Sequence, residues 1–131
     1  MIQPDAFLRA ILVEFAGPQT LCSLEGDLSR YTLTNAVAHD EAGSLRRHTL
    51  WPKRDFAVIR LDLEAANQLL VQLEADPNRA VNVEHIQVER HGQLVMGGYD
   101  GLDATWVGAS FPREDLDRLA GTGSIKLEDI D

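Results

Sequence analysis

The strongest constraint on this chain is one dipeptide. His91-Gly92 separates two runs, Val81 to Arg90 and Gln93 to Asp100, in which apolar and β-branched residues alternate with polar ones. A two-residue connection ending in glycine suits the positive φ angles of a tight turn, so the pair reads as an antiparallel hairpin. If Arg90 lies opposite Gln93, pleat alternation sets Val88 against Val95, Ile86 against Gly97 and Glu84 against Tyr99 on the flank expected to close a core. The reverse flank then holds Val83, His85, Gln87 and Glu89 against Leu94, Met96, Gly98 and Asp100. That mixture is too apolar for open water and too polar for a sealed interior.

A lone hairpin is not stable in water, so its neighbours in sequence must complete a sheet and cover it. Phe56-Ala57-Val58-Ile59-Arg60-Leu61 reads as a strand buried on both faces. It runs into Asp62 as the cap of a helix over 62–75, whose stripe is Leu63, Ala66, Leu69, Leu70 and Leu73 and which Asp76-Pro77 ends. Phe7, Leu8, Ile11, Leu12 and Phe15 line a first helix over 5–16, stopped by Gly17-Pro18. Thr105 to Ala109 returns beside Tyr99 as a third meander strand, and Pro112 opens a helix to Ala120. Between Gln19 and Asp40 the pattern weakens: Glu25-Gly26-Asp27 reads as a turn and Tyr31 to Thr34 as a short strand. The stretch from Glu41 to Asp55 shows no period, and Ile125-Lys126-Leu127 suits an edge strand. With 131 residues and no repeat, the expectation is a single α+β domain over 1–131. Its antiparallel sheet is built around 56–61, 81–90, 93–100 and 104–109, with about three helices on one face.

Charge narrows the function. Acids outnumber bases 21 to 12, a balance that repels nucleic-acid backbones. The exception is local, since Arg46, Arg47, Lys53 and Arg54 gather around Trp51 and Pro52 without one acid among them. Such an island suits a carboxylate, a phosphate or an acidic protein, and also a solvated loop. No apolar run reaches the ~20 residues of a membrane span. A lone Cys22 excludes an internal disulfide and fits a reducing cytoplasm; with no base beside it in sequence it reads as a buried small hydrophobe.

Catalytic patterns are sparse. The four histidines, at 39, 48, 85 and 91, show no metal-ligand spacing, so neither a metal nor a cofactor is expected. Gly121-Thr122-Gly123-Ser124 follows a helix instead of opening one, which fits a cap and not a phosphate cradle. On the hairpin's reverse flank His85 and Asp100 would be diagonal neighbours, and a carboxylate orienting an imidazole makes a general base, with Tyr99 or Ser110 as accessory donors. Gly97-Gly98 inside a strand implies a bulge, or another chain, a ligand or a bulky side chain pressing there. Trp106 suits the core and Trp51 an exposed contact.

From His85 through Gly101, followed by Pro112 and a leucine-bearing helix, the chain resembles small uncharacterised bacterial proteins, including some immunity proteins of polymorphic toxin systems. The resemblance implies a cytoplasmic α+β protein that acts by covering a partner. The leading expectation is therefore non-catalytic protein binding, as an immunity or adaptor protein. Its contacts would be His85, Gln87 and Met96 on the hairpin, with Trp51, Arg46, Arg47, Lys53 and Arg54 as a second patch, and its acidic surface would suit a cationic partner. Self-association is left open. The alternative is a small hydrolase or transferase using His85 and Asp100 as an acid–base pair.

Overall fold

The computed structural model describes residues 12–37, 44–47, 49, 51–99, 104–108 and 127–129. They form a seven-stranded sheet from β1 (Thr20–Gly26), β2 (Ala36–Val37), β3 (Asp55–Arg60), β4 (Val83–Arg90), β5 (Gln93–Tyr99), β6 (Ala104–Val107) and β7 (Leu127–Asp129), in the order β2-β3-β1-β4-β5-β6-β7. All neighbours are antiparallel except β6 and β7. Two helices, α1 (Leu63–Ala75) and α2 (Arg79–Asn82), join β3 to β4, and residues 12–15 are also helical. The fold is thus α+β on an antiparallel sheet; the expected helix over 112–120 lies outside the described residues.

The sheet is sealed on one side by α1. Asp62 caps that helix by accepting the Ala65 N–H at 2.8 Å, and Glu64 in the first turn complements the macrodipole. Ala65, Ala66, Leu69, Leu70 and Leu73 are buried. Leu12, Phe15, Cys22, Leu24, Ile59, Ile86, Val88 and Met96 belong to the same apolar cluster as the helix's Ala66, Leu69, Leu70 and Leu73. Leu63 stands outside the expected stripe, at 55% exposed, because it is the first residue after the cap and points off the packed face.

The centre of the sheet departs from the sequence reading. β1, expected as weak pattern ending in a turn, is the middle strand, paired on one side with β3 and on the other with β4. Its Leu21, Ser23 and Glu25 alternate with Cys22 and Leu24, so half of its side chains are not core formers. Gly26, at φ +155°, is required there: a Cβ would lie 2.0 Å from the Asn82 carbonyl oxygen. Tyr31 to Thr34 is not a strand. It runs along α1, where the Gln72 amide takes both backbone groups of Thr32, accepting its N–H at 2.6 Å and donating to its C=O at 2.9 Å. A helix side chain thus does for Thr32 what a neighbouring strand would do, and Gln68 and Gln72 do not simply face water. Val81 and Asn82 fall in α2, so β4 begins two residues later than expected.

The hairpin turn matches its expectation, with His91 at φ 53° and Gly92 at φ 78°. Its register does not. Arg90 faces Gln93 and Glu89 faces Leu94, but a bulge then sets Val88 against Met96, Gln87 against Gly97 and Ile86 against Gly98. Val95 is the residue passed over, and its carbonyl accepts the Gly108 N–H at 2.8 Å. Gly108 fits because a Cβ would stand 2.1 Å from the Leu94 carbonyl oxygen. Every pairing beyond the bulge is displaced by one residue from the alternation read off the sequence.

Candidate interaction site

Opposite α1, the sheet presents a row of polar side chains. Cross-strand partners on β1 and β4 are Glu25 with His85, Ser23 with Gln87 and Leu21 with Glu89. Ser23, Glu25, His85, Gln87 and Glu89 are all no more than 4% exposed. Burying that much polarity is tolerable only when partners are supplied. The partners come from residues 44–47 and 49, which lie across this face.

Each attachment is specific. Ser44 donates its N–H and its hydroxyl to Glu89 Oε1, at 2.8 and 3.0 Å. The Gln87 amide donates to the Arg46 carbonyl at 2.7 Å and to Ser23 Oγ at 3.2 Å. Thr49 donates its N–H to Glu25 Oε2 at 2.8 Å, while its hydroxyl lies 2.8 Å from His85 Nε2. Leu45 adds an apolar anchor, buried with Val58 and flanked by Leu21, Phe56 and Leu94. Among the described residues no buried side-chain nitrogen or oxygen lacks a partner. The segment is irregular in backbone yet fixed at its base, because the sheet offers it donors and acceptors in place of a ladder.

Beyond this base the chain turns outward. Trp51 is 87% exposed, the largest exposure of any bulky apolar residue described, and Pro52, Lys53 and Arg54 beside it are exposed as well. The loop's root is braced: the Arg47 guanidinium lies over the Phe56 ring, 5.3 Å from its centroid, and donates to the Arg54 carbonyl. Arg54 Nε meets Glu84 Oε1 at 3.2 Å. Arg46 remains on the surface and Arg47 is half-buried.

The residues proposed from sequence therefore separate. Trp51, Arg46, Lys53 and Arg54 are exposed. His85 and Gln87, at 3% and 4% exposed, are covered by that same loop, and Met96, fully buried, belongs to the opposite, apolar core. The hairpin's reverse flank is thus an interior polar layer and not a docking face. Asp100 lies outside the described residues, as do His39, His48 and Ser110. The unbulged register from which its pairing with His85 was drawn is not the register of the hairpin. Glu25, Glu89, Ser23, Ser44 and Thr49 were not foreseen. The available signal was a period-two polar pattern on two strands at once, Ser23/Glu25 and His85/Gln87/Glu89.

Elsewhere the chemistry is quiet. Burial pushes the Cys22 thiol up to about 12, leaving it protonated and inert. Asp76 at the end of α1 collects hydrogen bonds from Tyr31 Oη at 2.6 Å, Asn82 Nδ2 at 2.9 Å and the Asn78 N–H at 2.9 Å. The Tyr31 hydroxyl is the main cause that holds this carboxyl below its ordinary value. Desolvation, then the bond to Asp76, raises Tyr31. Among the described residues no three potential metal ligands cluster, and no helix is long and apolar enough to cross a membrane. One open groove, about 540 Å³, runs between Thr32, Thr34 and the outer side of α1. Against known protein families, curated proteins and solved structures, the chain has no match.

Proposed function

We propose that this chain is a non-catalytic protein-binding domain, of the immunity or adaptor kind, whose contact element is the loop around Trp51. The observation that carries this reading is an exposed tryptophan on a loop whose base is fastened to buried side chains of the sheet. Ordering a mobile loop on binding costs affinity, and a loop already held in place avoids most of that cost. Tryptophan and arginine are the residue types that dominate binding hot spots. The partner that fits has an apolar recess for the indole and an acidic rim for Arg46 and Lys53. The cationic partner expected from sequence was matched to the hairpin flank, which the loop covers.

The test uses the full chain, immobilised, with extract from its source cells at low salt. A protein retained by wild type is identified, purified and titrated calorimetrically against wild type and Trp51→Ala. Truncating a central anchor costs ~2 kcal/mol, a roughly 30-fold loss of affinity. A partner bound equally well by Trp51→Ala, or no retained protein at any salt concentration, would overturn the assignment.

A further inference from the structure

Two unusual surfaces of this molecule are complementary and cannot meet within one copy. The segment 44–54 carries four bases and no acid, and exposes Trp51. The start of α1 carries the exposed acids Asp62 and Glu64 and no base, and the helix's outer side exposes Leu63 (55%) and Val71 (66%). Val71 lines the open groove with Thr32, Thr34, Asn67, Gln68 and Gln72. The amides of Gln68 and Gln72 are engaged by Thr34, Thr32 and Glu64, so the groove offers chiefly apolar surface.

The loop fastens to Glu25, His85, Gln87 and Glu89, whereas α1 packs in the cluster that holds Cys22, Leu24, Ile86 and Val88. On β1 and β4 these sets alternate, so loop and groove occupy opposite faces of one sheet. A molecule with a plug on one face and an unlike socket on the other cannot pair isologously; it joins head to tail. We propose that the groove beside α1 receives Trp51 of a second copy of this chain, with the exposed Asp62 and Glu64 at the start of α1 facing that copy's basic loop. The contact is small and charge-assisted, hence weak, concentration-dependent and sensitive to salt.

Sedimentation velocity of the full chain, with concentration raised to ~1 mM because small contacts have Kd values toward the millimolar end, reads this directly. The weight-average mass should climb above 14.5 kDa at low salt and return toward it at high salt. Trp51→Ala and Val71→Glu, both at exposed positions and so compatible with an intact fold, should each remain monomeric alone. Mixed, they should form a species of twice 14.5 kDa that grows no further, since one retains the groove and the other the loop. A mass of 14.5 kDa under every condition, assembly that survives either substitution, or a mixture that stays monomeric would each sink the proposal. Val71→Glu leaves the loop intact, so such a failure does not touch the loop's reading as a contact for another protein.

Discussion

Replacing Glu89 with glutamine tests whether the buried polar layer holds the loop. Glu89 accepts two hydrogen bonds from Ser44 at one oxygen, at 2.8 and 3.0 Å. Bonds to a charged acceptor contribute about 1.5–3 kcal/mol and neutral ones about 0.5–1.5, so the amide forfeits about 1 kcal/mol per bond and ~2 kcal/mol for the pair. The fold as a whole loses less, since a buried amide is cheaper to desolvate than a buried charge. The loop carries its own reporter, because trypsin cleaves after Arg46, Arg47, Lys53 and Arg54. Where cleavage follows the population of an opened loop, ~2 kcal/mol is about a 30-fold faster first cut. The measurement is the rate of appearance of fragments ending at 46, 47, 53 or 54, beside urea unfolding of both proteins. Equal cleavage rates with intact stability would refute the claim that this carboxylate fastens the loop; equal acceleration of cleavage and global unfolding would refute its locality.

Two further outcomes follow from other parts of the molecule. Cys22, fully buried with its thiol pushed up to about 12, should not react with Ellman's reagent at pH 8 in the native protein and should react completely in urea; prompt stoichiometric labelling would contradict its place in the core. Asp76 is held below its ordinary value chiefly by Tyr31, so the stabilisation is present above the unfolded carboxyl value of ~3.9 and is lost as pH falls through the lower folded one. Urea midpoints of wild type and Tyr31→Phe should differ by a constant amount from pH 7 to ~5 and converge below ~4; a gap that persists to pH 2 would show that Tyr31 acts through packing alone.

What could be read in the sequence was whatever apolar periodicity writes. Asp62, Leu69, Leu70 and Leu73 of α1, Pro77 and the His91-Gly92 turn each declared themselves, because cap, stripe, stop and positive φ are local demands. β1 did not, since Ser23 and Glu25 resemble a solvent face and become interior only when Gln87 and Thr49, far along the chain, supply their partners. Gly97-Gly98 hinted at a bulge in this strand but not at its position, and the one extra residue, Val95, moved every later pairing. Trp51 and its bases were recognisable as a surface element from composition, yet their attachment to His85 and Gln87 was not. Two patches that looked separate in sequence are a cover and the layer beneath it.

The position of β1 bears on how this molecule is made. Cys22 lies in register between Ile59 and Val88, so β1 waits for neighbours that are synthesised after it. Until β4 arrives, one edge of β1 lacks its ladder and Glu25 lacks its cross-strand histidine. Folding governed by such distant pairings is slow relative to helical proteins of equal size, and an unpaired middle strand is open to the wrong neighbour. Ser23 and Glu25, alternating on that strand, lower its apolar content, so the same residues that obscure β1 in the sequence also make it a poorer template for wrong pairing.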